Sequence, residues 1–331
     1  MLGAGSWGTA VARLLAPSHA TTLWVRRGAL AERIAATREN DEYLPGFAVP
    51  EELTVTSSLA VACDDAELLV LAMPSHGTRA VLEEAAPFIG EATMVVSLTK
   101  GVEQGTLLRM TEVVGEVVPQ IRPTHVGVLT GPNLAREVAA GQPTATVVAA
   151  ADESVAKVLQ QIFMASSMRV YTNHDVVGCE LAGALKNPLA IAAGIADGLG
   201  YGHNTKAALI TRGLAELARL GVALGGEPLT FAGLAGMGDV VATCSSPESR
   251  NRAVGVELGR GRTLEEILAS TRMVAEGVRT TSAVLELARR VDVDMPIAEI
   301  VEAVLHGGRR PQDLVPELMG RSAKPELRGI R

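Results

Sequence analysis

The sequence predicts an α/β protein, with a doubly wound, mostly parallel sheet in its N-terminal part and an all-α domain after it. Three observations carry that prediction. Short apolar runs alternate with amphipathic segments of helical length up to about Asp175; strands then cease and long Ala/Leu/Gly helices take over; and a GxGxxG run at Gly3, Gly5 and Gly8 opens the first helix. A chain of 331 residues exceeds the roughly 250–300 at which single cores stop growing, so two domains are expected. We place them at 1–174 and 175–331, where the periodicity changes and the composition does not.

The opening MLGAGSWGTA contains the whole glycine run, yet only Met1 and Leu2 precede it where a full strand normally feeds such a turn. A truncated first strand is therefore expected. Ala10, Val11, Leu14 and Leu15 recur at helical spacing, and Pro17 ends that helix. There follow a strand in TTLWV, a helix in ALAERIAATR, a strand in ELLVLAMP, a helix around TRAVLEEAAPFI and a strand in TMVVSLT. The sheet half closes with a helix in TLLRMTEVVGEV, a strand HVGVLT, a short helix LAREVAA, a strand TATVVAA, a helix ESVAKVLQQIF and a strand MRVYT. The helical half reads as VVGCELAGALKNPLAIAAGIADGL, NTKAALITRGLAELARLGVAL, NRAVGVELGRG, LEEILAST, TTSAVLELARRV and IAEIVEAVLHG.

Composition narrows the function. Aromatics are only 3% of the chain, so the core must be built from Ala, Val and Leu at close packing distances. A net charge of −7 with no long Lys/Arg block argues against a nucleic-acid surface. No apolar run approaches the roughly 20 residues of a membrane span and no charged leader precedes an apolar stretch, so no membrane span and a cytoplasmic location are expected. Cys63, Cys179 and Cys244 lack the spacing of a zinc site or disulfide framework and read as buried reduced thiols, with no metal.

A lone GxGxxG is weak, but this one opens a helix inside a βαβ unit. In that context Gly3 makes the tight turn, Gly5 lets backbone approach a pyrophosphate, and Gly8 allows close helix packing. At the end of the second strand, where an NAD-preferring site carries Asp or Glu, stand Arg26 and Arg27. Paired guanidiniums suit a 2′-phosphate, so NADPH is favoured over NADH, with two solvated arginines as the alternative. Ligands bind beyond the carboxyl ends of parallel strands, which adds Pro74 to His76, Lys100 and Gly131 to Asn133. Lys186 lies in an otherwise apolar helix, where a charge is costly unless used. In SSPESRNR, Ser246 is expected to cap a helix with Pro247 in its first turn, presenting Arg250 to an anion. Pro188 predicts a kink just after Lys186.

Further blocks make the chain recognisable: GAGSWGTA, NDEYLPG, SLTKGVE, TGPNLAREV, ELAGALKNPLAIAAGIADGLGYGHNTKAALITRGLAE, GLAGMGDVVATCSSPESRNR, VAEGVRT and MPIAEIVEAVL. In this order and over nearly its whole length, it resembles the bacterial NAD(P)-dependent glycerol-3-phosphate dehydrogenases. The resemblance implies a Rossmann domain, a helical domain with substrate between the two, and reversible reduction of dihydroxyacetone phosphate by NADPH or NADH to sn-glycerol 3-phosphate for glycerophospholipid synthesis. It implies that Lys186 is the general acid/base, with Lys100 and Asp239 beside it. Substrate contacts would come from Lys100, Gly131, Asn133, Lys186 and Asp239, with Ser249, Arg250 and Asn251 on the phosphate. Cofactor contacts would come from Gly3, Gly5, Ser6, Trp7, Gly8, Arg26, Arg27, Lys100, Ala135, Arg250, Val274 and Glu276.

Two departures stand out. Asn133 offers an amide where the family often has Ser or Thr, and Pro188 replaces a more usual aliphatic residue. Reduction of a ketone develops an alkoxide that must be protonated or stabilised, and a lysine can do both. Burial and Lys100 would lower the pKa of Lys186 and Asp239 would raise it, and the sequence leaves the balance open. Ketopantoate reductases and 3-hydroxyacyl-CoA dehydrogenases combine similar halves but do not call for the SRN triplet, and a non-catalytic NADPH-sensing module would not need the three catalytic groups. The Ala-rich helices are expected to bury one face in a homodimer, or else wholly in their own core.

Overall fold

A computed structural model describes residues 1–270, 275–320 and 322. The chain forms two compact units, Met1–Val176 and Val177–Arg331.

The first unit is built on strands β1 (Thr21–Trp24), β2 (Leu53–Thr56), β3 (Leu68–Leu71), β4 (Met94–Ser97), β5 (Val126–Thr130), β6 (Thr144–Ala150) and β7 (Met168–Asn173). Its helices are α1 (Ser6–Leu15), α2 (Gly28–Thr37), α3 (Leu59–Cys63), α4 (Ser75–Ala85), α5 (Met110–Val117), α6 (Ala135–Ala139) and α7 (Glu153–Phe163). β1 pairs with β2, and β3 to β7 are neighbours in chain order, all pairs parallel except β5 with β6. Leu2 joins these two groups by parallel bridges to Trp24 and Leu71, with its N–H 2.8 Å from the Val70 carbonyl and its own carbonyl 2.8 Å from the Ala72 N–H. In place of a strand before the glycine turn, one residue, Leu2, bridges to both sides.

Period-two alternation splits the apolar residues between the two faces of the sheet. Val70, Val96, Leu129 and Val148 pack with Val11, Leu15, Ile34, Leu159 and Phe163 on one side. Leu69, Leu71 and Val95 pack with Leu82, Met110, Val113 and Val114 on the other. Helices cover both faces, which is the physical reason these strands read as continuous apolar runs. β2 and α3 were not read from the sequence: LTVT buries only Leu53 fully, so its pattern carries no strand signal of useful length.

The second unit is helical throughout its described residues: α8 (Val176–Leu185), α9 (Asn187–Gly198), α10 (His203–Ala223), α11 (Pro228–Ala232), α12 (Asp239–Ser245), α13 (Arg250–Gly259), α14 (Leu264–Ser270), α15 (Glu276–Arg290), α16 (Pro296–Leu305) and α17 (Pro311–Met319). α11, α12 and α17 were not anticipated; glycines at 233, 236 and 238 break the periodicity before α12, where residues 234–238 form a wide helical turn. α9 is the hub, buried from Asn187 to Ala196. It meets α13 at backbone contact distance: a Cβ on Gly194 would lie 2.1 Å from the Arg252 carbonyl oxygen, and one on Gly255 2.1 Å from that of Ile191. Gly198 and Gly259 repeat the arrangement one turn on, so a core poor in aromatics closes through glycine.

Residues 176–198 are, contrary to the sequence reading, apolar and long enough to qualify as a membrane-crossing helix by composition. In the structure 89% of the most apolar window is buried, as in the core helix of a folded domain.

Candidate active site

The glycine turn is built by steric necessity. Gly3 has φ +113°, and a Cβ there would meet the Ala72 carbonyl oxygen at 2.6 Å. A Cβ on Gly8 would sit 2.0 Å from the Gly3 oxygen, whereas one on Gly5 meets nothing within 4 Å. Gly5 therefore keeps open the space in front of the α1 N-terminus, which has no side-chain cap. The NDEYLPG stretch braces this turn. Buried Asn40 donates its amide to the Ala4 carbonyl (2.9 Å) and Thr9 Oγ1 (2.8 Å), and Ser6 Oγ donates to the Tyr43 carbonyl (2.6 Å). The buried Trp7 Nε1 finds no partner among the described residues, leaving a donor beside the turn. An uncapped helix start, an open approach at Gly5 and an orphaned donor fit a dinucleotide pyrophosphate.

The C-terminal rim of the sheet supplies more polar groups. Lys100, after β4, donates to the Gly131 carbonyl at 2.9 Å, after β5. Gly131 has φ +139° and presses against Thr146, where a side chain would be strained. Asn133 donates Nδ2 to Thr146 Oγ1 (2.9 Å), which itself donates to the Thr130 carbonyl (2.8 Å) and so must accept from the amide nitrogen. Asn133 Oδ1, an acceptor, is left without a partner among the described residues, as is Thr130 Oγ1.

Arg26 and Arg27 follow β1 and are exposed. Arg27 is ion-paired with Glu42 at 2.5 Å. Ala135 is the first residue of α6 and Glu276 the first of α15. Val274 lies outside the described residues.

In the helical unit, Lys186, Asp239 and Thr243 meet in a buried cluster, at 5%, 2% and 7% exposure. The Lys186 ammonium donates to Asp239 Oδ1 and to Thr243 Oγ1 (2.6 Å), and Thr243 donates to the same carboxylate oxygen (3.1 Å). Asp239 compensates a charge that burial would otherwise penalise heavily. Thr243 was missed, although its spacing of four from Asp239 places both on one face of α12. α8 ends at Leu185 and α9 begins at Asn187, so Lys186 stands between the two helices. Its backbone stays right-handed (φ −69°, ψ −24°) while Pro188, at the start of α9, cannot donate to the carbonyl four residues back.

The α13 N-cap is Ser249, whose Oγ accepts from the Arg252 N–H at 3.2 Å, so the expected cap at Ser246 is corrected; Ser246 instead terminates α12. Arg250 is exposed and makes no side-chain hydrogen bond or ion pair among the described residues, at the first position of a helix whose N-terminus favours an anion. Asn251 is turned inward, donating to Asn187 Oδ1 (3.0 Å) and accepting from the Gly277 N–H (2.9 Å). Its amide is thus used to fix α9, α13 and α15 to one another. Asn187, a neighbour of Lys186, was also missed. Arg252 is tied to Asp197 at 2.6 Å, which also holds Lys206 at 2.6 Å. The cysteines are buried, and burial pushes the Cys244 thiol up to about 12, so it stays protonated at neutral pH.

A family profile described as the NAD-dependent glycerol-3-phosphate dehydrogenase N-terminus matches residues 1–156, and its C-terminus counterpart matches 175–316. The glycerol-3-phosphate dehydrogenase (NAD(P)+) of Streptomyces coelicolor is 55% identical over 329 residues, 99% of this chain and 98% of that protein. The chain belongs to the NAD-dependent glycerol-3-phosphate dehydrogenase family. A crystal structure of the family's member from Coxiella burnetii superposes with a TM-score of 0.92 at 38% identity, covering 97% of this chain and 98% of that one. A ketopantoate reductase from Ralstonia eutropha, at 16% identity and TM-score 0.60 over 92% of this chain and 97% of its own, shares the fold alone. The Rossmann-type α/β architecture with a helical C-terminal domain is the family's own.

Proposed function

We propose that this dehydrogenase-family chain reduces dihydroxyacetone phosphate to sn-glycerol 3-phosphate, reversibly, with Lys186 giving a proton to the C2 oxygen. When bound, reduced NAD(P) supplies the hydride to C2. The observation that carries the reading is the buried cluster of Lys186, Asp239 and Thr243. In it the carboxylate offsets the charge of the buried ammonium, the lysine passes its proton to the alkoxide that develops on C2, and the threonine hydroxyl, accepting from Lys186 and donating to Asp239, fixes the direction of the amine. Arg250 and the α13 N-terminus hold the substrate phosphate, Ser249 fixes that terminus, and Asn251 acts through α9 to orient the lysine. Lys100, held by the Gly131 carbonyl, adds positive charge toward the substrate, and Asn133 Oδ1 accepts from a substrate hydroxyl.

On the nucleotide side, Gly3, Gly5 and Gly8 shape the pyrophosphate site, Ser6, Trp7, Ala135 and Glu276 border the cofactor, and Arg26 with Arg27 favours NADPH. We further propose a cytoplasmic homodimer whose product feeds glycerophospholipid synthesis. The test is loss of reduced-cofactor absorbance with dihydroxyacetone phosphate, ketopantoate and acetoacetyl-CoA in parallel. Turnover of the first alone is expected, and preference for either other substrate overturns the reading.

A further inference from the structure

The two arginines beyond β1 are not equivalent. Arg26 is exposed and makes no side-chain hydrogen bond or ion pair among the described residues. Arg27 is held by Glu42 Oε2 at 2.5 Å, and Arg33 of α2 reaches the same oxygen at 3.3 Å while bonding Asp41 at 3.1 Å. The Arg27 guanidinium also lies 5.9 Å from the centroid of the Tyr43 ring. The hydrogen bond from Arg27 holds the Glu42 carboxyl below its ordinary range, so it is ionised at neutral pH.

Glu42 is not on a free loop. Asn40 is bonded to Ala4 and Thr9, the Tyr43 N–H reaches Asn40 Oδ1 at 3.3 Å, and Ser6 holds the Tyr43 carbonyl. The residues on both sides of Glu42 are therefore anchored to the turn that defines the nucleotide's position. A dianionic group approaching Arg27 must displace this carboxylate or bind beside a like charge, and either one subtracts from its affinity. A ribose carrying only a hydroxyl meets no such opposition.

We propose that Glu42 is a specificity-determining residue: by occupying Arg27 it leaves Arg26 as the working contact for a 2′-phosphate and restrains the preference for NADPH over NADH. The proposal rests on the reading that the arginine pair receives the 2′-phosphate.

The test compares kcat/KM for NADPH and NADH in the wild type, E42Q, E42D, R26A, R27A and the R27A/E42Q double variant, with calorimetric binding of 2′,5′-ADP and 5′-AMP as a readout independent of turnover. E42Q is expected to raise the NADPH:NADH ratio about fivefold and to tighten 2′,5′-ADP similarly while leaving 5′-AMP unchanged. E42D, which keeps the charge, is expected to return the ratio toward the wild-type value. In the R27A background the gain from removing the Glu42 charge should shrink below about twofold. If E42Q changes both cofactors alike, or its full gain persists without Arg27, Glu42 does not act through Arg27 and the proposal is overturned. R26A separates the two layers: a fall in the ratio upholds the arginine-pair reading even where E42Q has no effect, and an unchanged ratio overturns both.

Discussion

Gly3, Gly5 and Gly8 and the set Gly194, Gly198, Gly255 and Gly259 make opposite use of the missing side chain. The first set shapes one stretch of backbone: Gly3 admits the Ala72 carbonyl beyond β3, Gly8 admits the Gly3 carbonyl, and Gly5 leaves space in front of α1. The second set lets two helices far apart in sequence touch along their backbones, with no space remaining. The same contrast holds for the polar groups. The glycine turn takes its parts from the first ten residues and one bracing segment at 40–43, whereas the buried cluster joins Lys186, between α8 and α9, to Asp239 and Thr243 of α12. Local geometry makes the turn proposed to bind nucleotide, and packing of distant segments makes the cluster proposed to move a proton.

If chemistry belongs to the helical unit and nucleotide binding to the turn, K186A should lower kcat by about a thousandfold or more while the Kd for NADPH, read by fluorescence, stays within about twofold. Near-normal turnover would remove the lysine from the mechanism. G255A should destabilise the helical unit by about 3 kcal/mol, since its new Cβ meets backbone and not a movable side chain. Urea unfolding measures this, and an unaltered midpoint would mean that α9 and α13 separate easily. R250A should raise KM for dihydroxyacetone phosphate about thirtyfold with little change in kcat. G5A sharpens the contrast with G255A: its Cβ enters open space, so stability should change by under about 0.5 kcal/mol while KM for NADPH rises about tenfold.

The smallest effect concerns Glu216 of α10, 3% exposed, whose carboxyl oxygens accept the Ile297 N–H at the start of α16 at 3.2 and 3.1 Å. Burial raises its pKa from 4.5 to about 8. The folded state therefore keeps a proton that the unfolded chain has released, and this contribution to stability is present in full below pH 4.5 and lost as pH rises through about 8. E216Q, which is neutral throughout, should raise Tm by roughly 2–4 °C at pH 8.5 and give no gain at pH 5. A gain of equal size at both values would show that the carboxyl does not titrate in this range.

Much of the sheet unit was legible because its strands are buried on both faces. TATVVAA and ESVAKVLQQIF occupy the same residues in the structure as in the sequence pattern, Thr144–Ala150 and Glu153–Phe163. LTVT was not legible, being four residues long and only partly buried, and the antiparallel placement of β6 leaves no mark in an apolar run. In the helical unit Lys186 stood out as a charge in an apolar helix, but Asp239 came only through the family resemblance, and Thr243 and Asn187 were overlooked. The cap at Ser249 was displaced by three residues from its expected place because Ser246 and Ser249 both carry hydroxyls suited to the task.

By itself, the sequence determined the alternation that makes the sheet, the glycine turn, and the families of side chains able to hold phosphate and move a proton, because those depend on neighbours along the chain. Only the tertiary structure decided that Asn133 presents an oxygen, that Asn251 faces inward, and that Glu42 rather than solvent meets Arg27. Such outcomes depend on which partner captures each hydrogen bond or charge, and that partner lies elsewhere in the chain, brought near by packing.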